Sequence, residues 1–176
     1  ALGAYANPAD DLLNRIDKGA AAKFKTILVK SDKDFFEIDQ AGNSKNATAS
    51  KPAGKNNPII IRGNSWVNIA VGINWYLKHH AGIHITWNNM SQKLPNVLPA
   101  VKQKERHETD LKLRYDFNYC TFSYTMAFWD WNRWQKEIDW MALHGINMPL
   151  AAVGTECVWH NMLLKLGYSE EEVGKF

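Results

Sequence analysis

The chain has 176 residues, of which 45% are hydrophobic and 22% charged, and a formal net charge of +3. This is the composition of a folded chain with an ordinary core, and it excludes extended disorder. The near-balanced charge, with lysines scattered rather than clustered, gives no nucleic-acid-binding face, and no run approaches the roughly 20 apolar residues of a membrane span.

Asn7-Pro8-Ala9-Asp10 opens a helix with a cap residue, a proline in the first turn and an acid near the positive helix end. Leu12, Leu13, Ile16 and Ala20 form its apolar stripe, and Gly19 weakens its end. Phe24–Lys30 and Lys33–Asp39 read as two strands of an antiparallel hairpin across Ser31-Asp32, with Ile27, Val29, Phe35 and Ile38 as apolar members. Residues 42–57 are rich in Asn, Lys, Ala, Ser and Gly and read as a solvent loop. Pro58–Gly63 is a short buried strand. A helix capped by Asn64 or Ser65 then runs to His79, with Trp66, Ile69, Ala70, Ile73 and Leu77 at helical spacing and Gly82 beyond its end. The spacing predicts that Trp66, Ile73 and Leu77 pack on the sheet. His84–Trp87 reads as a fourth strand, and Ser91–Glu108, with Pro95, Pro99 and many charges, as an extended linker. Residues 1–108 are therefore expected to form a two-layer α/β domain.

From residue 109 the character changes. Tyr115–Phe128 is aromatic and β-prone. A helix capped by Asp130 follows, with Trp131, Trp134, Ile138 and Met141 on one face, Glu137 and Asp139 on the solvent side, and Gly145 as its stop. Ile146–Val153 is apolar and almost uncharged, as in a parallel strand buried on both faces, although Pro149 cannot donate to a ladder. Gly154-Thr155 turns the chain into a helix marked by Trp159, Met162, Leu163 and Leu166. Ser169-Glu170-Glu171-Glu172 is a capping-box pattern that starts another. This strand–helix–strand–helix order is the opening of a TIM-type (β/α) barrel over 109–176.

Six of the eight tryptophans fall at or after Trp87. Indole faces stack on sugar rings, and they equally serve core packing. Cys120 and Cys157 can pair, but two cysteines make no disulfide framework, and no CxxC metal site is present. The histidines, including the His79-His80 pair and lone His84, His107, His144 and His160, lack metal spacing. Ala1–Asn7 carries no charged-then-apolar leader and reads as an engineered or processed start. Asn46-Ala47-Thr48 and Asn89-Met90-Ser91 are glycosylation sequons if a eukaryote makes the protein.

Asn118-Tyr119-Cys120-Thr121-Phe122-Ser123-Tyr124 and the run from Trp129 to Asn147, WDWNRWQKEIDWMALHGIN, closely resemble the family 89 glycoside hydrolases, the α-N-acetylglucosaminidases. The resemblance is dense over 113–167 and looser before it, where Ile60-Ile61-Arg62-Gly63 and His84-Ile85-Thr86-Trp87 stand in the expected order. It implies a retaining exo-glycosidase that removes terminal α-linked N-acetylglucosamine from glycans. Retention uses two carboxylates about 5–5.5 Å apart. In this family both glutamates come from later barrel strands, so no catalytic residue is expected within this chain, which needs the remainder of the catalytic domain. The resemblance implies no cofactor and no metal. It places the protein outside the cytosol: secreted or periplasmic in a bacterium, lysosomal in a eukaryote.

By the same resemblance Asn118, Cys120 and Tyr124 reach the sugar from the first barrel strand. Asn118 suits sugar hydroxyls, Tyr124 can stack or hydrogen-bond, and Cys120 is small enough to leave room for the ring. Their even numbering predicts one strand face. Packing alone is the other reading of each, and for Cys120 a small buried hydrophobe. Glu156, just past the second strand, can bind a sugar hydroxyl or hold a catalytic neighbour, or merely satisfy a helix N-terminus. The family usually shows Gly-Gln-Glu where this chain has Gly154-Thr155-Glu156, so position 155 carries no inferred role. A non-catalytic carbohydrate-binding or interaction module is the alternative, and the buried strand followed by a second βα repeat counts against it. No GxGxxG, P-loop or GxSxG points to another α/β enzyme.

Overall fold

The computed structural model describes residues 7–40, 57–151 and 154–175. Helix α1 (Pro8–Ile16) is capped as the sequence predicts: the Asn7 side chain accepts from the Ala9 amide at 3.0 Å. Leu12, Leu13 and Ile16 are buried, and Ala20 joins them from a short 3-10 turn beyond Gly19. The loop expected over 42–57 and the Asn46 sequon lie, Asn57 apart, outside the described residues.

Four strands build one sheet: β1 (Phe24–Leu28), β2 (Asp34–Gln40), β3 (Ile59–Gly63) and β4 (Glu105–Thr109), in the order β1-β3-β2-β4. β1 is parallel to β3, with Thr26 opposite Ile61, and β2 is antiparallel to both β3 and β4. The expected β1–β2 hairpin therefore does not form, because β3 lies between its two arms. Ser-Asp is not a pair that favours a two-residue hairpin turn. The triple isoleucine of β3 also loses most apolar exposure at the sheet centre, where Ile59 and Ile61 are fully buried.

One face of the sheet carries helix α2 (Trp66–His79), capped by Ser65, whose hydroxyl accepts from the Asn68 amide at 3.1 Å. Ile69, Ile73, Tyr76 and Leu77 are sealed against Phe36, Ile38 and Ile61. Trp66 departs from the predicted stripe: it stays 37% exposed, and the buried residues of α2 begin at Asn68 and Ile69. The other face carries charge. Glu37 is buried among Lys104 (2.8 Å), Arg106 (3.0 Å) and Arg62 (3.9 Å), and Arg106 lies over the Phe35 ring.

His84–Trp87 is not a strand. It forms a single bridge, Thr86 to Asn89, that drops Ile85 into the core. Residues 91–104 are irregular but form no free linker: Leu94 and Val101 are buried, the Leu94 amide donates to Asp17, and the Tyr76 hydroxyl donates to the Pro99 carbonyl at 2.6 Å. That strap delivers the fourth strand, β4, where the sequence suggested more linker.

Beyond it, β5 (Tyr115–Asp116) and β6 (Met148–Pro149) pair in parallel, joined by helix α3 (Trp131–Leu143). Asp130 caps α3 at 2.8 Å, and Gly145, at φ +84°, closes it as the Ile146 amide bonds back to the Met141 carbonyl. Pro149 fits because β6 reaches β5 through the flanking amides: Met148 donates to Arg114 and Leu150 to Asp116. Among the described residues β6 is shorter than the expected 146–153 strand, of which residues 152–153 lie outside them, and Met148 and Pro149 are exposed, with β5 as the strand neighbour found there. Helices α4 (Thr155–Lys165) and α5 (Glu170–Val173) follow, the latter with the predicted Ser169/Glu172 capping box.

Candidate functional site

The β5–α3–β6 unit meets the N-terminal layer where Leu143 of α3 is buried in that layer's core and its carbonyl accepts from the Asn74 side chain of α2 at 3.0 Å, and at two charged joints. At the first, the Arg114 guanidinium donates to Asp34 at 2.8 Å, to Asn68 at 3.3 Å, and to the carbonyls of Leu111 and Gly145. Hydrogen bonds from Asn64 and then Arg114 outweigh burial and hold the Asp34 carboxyl below the usual carboxylate range. At the second, Arg15 of α1 forks onto Asp139 of α3 at 2.6 and 2.8 Å, and the Trp87 indole donates to Glu137 at 2.6 Å. Asp139 and Glu137 are thus 7% and 3% exposed, not solvated as their helical positions suggested. The side of α3 that reads as polar is its docking face, and two of the predicted apolar residues, Trp131 and Ile138, are the exposed ones.

In a (β/α) barrel the site lies at the carboxyl ends of the strands, which here are the segments after β5 and β6. After β5 the chain does not continue as a strand. Phe117 takes φ +73°, the one positive φ at a non-glycine among the described residues, a conformation costing about 1–3 kcal/mol unless its surroundings hold it. Thr121–Ser123 then forms a 3-10 turn. The Asn118 side-chain oxygen accepts from the Cys120 amide at 3.0 Å and the Thr121 amide at 3.3 Å, leaving its amide group as the outward donor. Asn118, Cys120 and Tyr124 are therefore neighbours in one exposed loop, not alternate positions on a strand face, and Tyr124 is 80% exposed.

Glu156 stands in the first turn of α4, whose cap position, Gly154, offers no side-chain bond. It borders a groove of about 690 Å³ with Cys157, Trp159, His160, Leu163 and Val173, and none of the three β5-loop residues lines it. The structure brings the first three candidates together and leaves Glu156 on the adjoining βα turn. Both cysteines are unpaired and exposed.

Sequence reasoning missed what sits beneath the loop. Phe117 and Phe122 meet edge-on at 6.0 Å, and both rest on Trp134. The crowding of aromatics over 117–134 was the available signal. Among the described residues no group of three His, Cys, Asp or Glu could hold a metal, and no helix is long and apolar enough to cross a membrane. The arrangement offers hydrogen-bond donors and exposed rings beside a strained turn, which is equipment for holding a polar, flat-faced ligand.

Known proteins match both parts of this chain. The family described as alpha-N-acetylglucosaminidase (NAGLU) N-terminal domain matches residues 7–100, and the NAGLU TIM-barrel domain matches residues 114–176. Human alpha-N-acetylglucosaminidase is 42% identical over 118 residues, 67% of this chain but 16% of the human protein. A family 89 glycoside hydrolase from Clostridium perfringens, solved with 2-acetamido-1,2-dideoxynojirmycin, matches 97% of this chain and 18% of its own at 32% identity and a TM-score of 0.79. A double Glu→Gln variant of that enzyme, in complex with its substrate GlcNAc-α-1,4-galactose, matches with a TM-score of 0.80. The chain spans under a fifth of these relatives, yet both of its halves match the same one, in the same order: it belongs to the α-N-acetylglucosaminidase family.

Proposed function

We propose that this chain is part of a retaining exo-glycosidase that hydrolyses terminal α-linked N-acetylglucosamine from glycans. The observation that carries the reading is the likeness, over 97% of the chain, to an enzyme solved with GlcNAc-α-1,4-galactose. Residues 1–108 form the α/β layer and 109–176 open the catalytic barrel. The nucleophile and acid/base glutamates come from later strands, and the enzyme works outside the cytosol, secreted, periplasmic or lysosomal.

Within this chain the loop after β5 and the turn after β6 form one wall of the sugar site. The Asn118 amide donates to a hydroxyl of the terminal sugar, Tyr124 covers a ring face or an adjacent hydroxyl, and Cys120 leaves the space that a larger side chain would fill. Glu156 accepts from a second hydroxyl or steadies a catalytic group. Such contacts raise kcat only in so far as they tighten at the transition state, while the later glutamates perform bond cleavage.

The test is hydrolysis of 4-nitrophenyl α-N-acetylglucosaminide. The intact enzyme turns it over with retained anomeric configuration, and residues 1–176 alone do not. Robust turnover by residues 1–176, abolished by Glu156→Gln, would overturn the placement of the catalytic pair.

A further inference from the structure

A continuous run of ring contacts leads from the N-terminal layer to the loop after β5. Trp87 stands on the connection between α2 and β4. Its indole N–H donates to the Glu137 oxygen that also accepts from Arg133, at 2.6 and 2.9 Å. The Arg133 guanidinium lies 3.8 Å over the Trp129 ring and 4.7 Å from the Trp87 ring centre. Trp129 meets Trp134 edge-on at 5.1 Å, and Trp134 stacks on Phe122 at 6.0 Å and meets Phe117 edge-on at 6.4 Å.

Each link has a physical reason to transmit position. Glu137 is almost sealed from water, so its charge must keep both donors, and those donors fix where Arg133 can lie. Arg133 in turn clamps Trp129, and the edge-on and stacked rings beyond it have few alternative packings. The last rings flank Asn118 and Cys120 in sequence, and the positive φ of Phe117 is sustained by its ring packing together with the bond from its amide to the Asp116 carboxylate at 2.8 Å.

We propose that Trp87 is a positioning residue for the loop 117–124, acting from the N-terminal layer through Arg133, Trp129 and Trp134. The kinetic part of the proposal rests on the assignment of that loop to the sugar site. The positional part does not.

Both parts are tested in the intact enzyme. Trp87→Ala should lower kcat/KM for the aryl glycoside about thirty-fold, since misplacing a contact by an ångström costs up to about a hundredfold. Trp87→Phe, which keeps a ring and loses the N–H, should lower it about five-fold. It carries the test alone if the alanine variant does not fold. The double variant Trp87→Ala with Asn118→Ala should lose less than the product of the two single losses, because both changes act on one loop. Arg15→Met breaks a different contact of α3 with the N-terminal layer. It should lower the melting temperature yet keep wild-type kcat/KM. A readout independent of activity is the iodoacetamide labelling rate of Cys120, resolved by peptide mass spectrometry. That rate should change at least about three-fold in both Trp87 variants and stay unchanged in Arg15→Met, because thiol reactivity follows exposure and surroundings. Unaltered Cys120 labelling in the Trp87 variants, or equal changes in Arg15→Met, would overturn the relay. An intact wild-type enzyme that leaves the glycoside uncut, while Trp87→Phe still alters Cys120 labelling, would instead remove the assignment of function and leave the relay standing.

Discussion

Gly72 lies in the middle of α2, where glycine-to-alanine ordinarily stabilises a helix by about 1 kcal/mol. Here the sign reverses. A Cβ on Gly72 would stand 2.7 Å from the Ile61 Cγ2 and 3.3 Å from the Phe36 Cβ. Carbon atoms pack at about 3.5–4.0 Å, so the new methyl overlaps Ile61 by roughly an ångström. Ile61 has no easy escape: it is β-branched, fully buried and held in the central strand by partners on both sides. Overpacking costs about 1–3 kcal/mol, and an overlap this large against a stiff neighbour belongs in the upper half of that range. Subtracting the propensity gain leaves a net loss of about 1–2 kcal/mol for Gly72→Ala. Urea unfolding of the intact enzyme should show it as a lowered midpoint with an unchanged slope. In an Ile61→Ala background, which is itself destabilised, the clashing methyl is gone and Gly72→Ala should become neutral or stabilising. A raised midpoint for Gly72→Ala with Ile61 intact would mean that α2 is not seated on β3 as described.

Arg15→Met strands the Asp139 carboxylate in a nearly dry interface. Arg15 itself is 37% exposed and partly screened, so the cost is discounted to about 1–3 kcal/mol. It should appear as a lower melting temperature with unchanged far-UV circular dichroism. Asp34 and Glu37 should both contribute to acid unfolding. Asp34 is held low by Asn64 and Arg114, and at Glu37 the upward pull of burial is outweighed by Lys104 and Arg106. Their folded values lie below the unfolded ones, so this stability is complete above the ordinary carboxylate value of about 4 and is lost as pH falls through the folded values. Replacing Arg114 by Met should flatten that acid limb in a melting series between pH 7 and 3. Asn118→Ala and Asn118→Asp should both lower kcat/KM by roughly ten- to several-hundred-fold, while only the alanine variant loses the bonds to the Cys120 and Thr121 amides. An Asp variant with wild-type kcat/KM would mean that Asn118 caps the turn and touches no sugar.

The helices were legible because their signals are local: Asn7, Ser65, Asp130 and Ser169 each cap a helix from within three residues. The sheet order was not, because the partner of β1 begins at Ile59, more than thirty residues on, and no pattern within Phe24–Asp39 reports a strand that will come between. β4 was hidden for another reason. Glu-Arg-His-Glu-Thr is a sequence fit for a charged sheet edge, and without its partner Glu37 it looks like linker. Glu137 and Asp139 misled in the same way, since a carboxylate that faces Arg15 or an indole N–H in another part of the chain is written no differently from one that faces water. Asn118, Cys120 and Tyr124 lie in one loop and not on the predicted strand, because nothing in Phe117 announces a positive φ.

Pro149 carries a consequence for how the barrel grows. During synthesis the β5–β6 ribbon exists before any later strand can cover its outer edge, and a bare parallel edge is a template for mispairing with other nascent chains. The amides of Met148 and Leu150 are already engaged with β5. The position between them would be the outward donor, and proline has none to give. A strand arriving at that edge finds one ladder bond missing, so only a segment that also brings packing energy will stay. In a (β/α) barrel a next strand delivered by its own helix would bring such packing, and a stray strand would not.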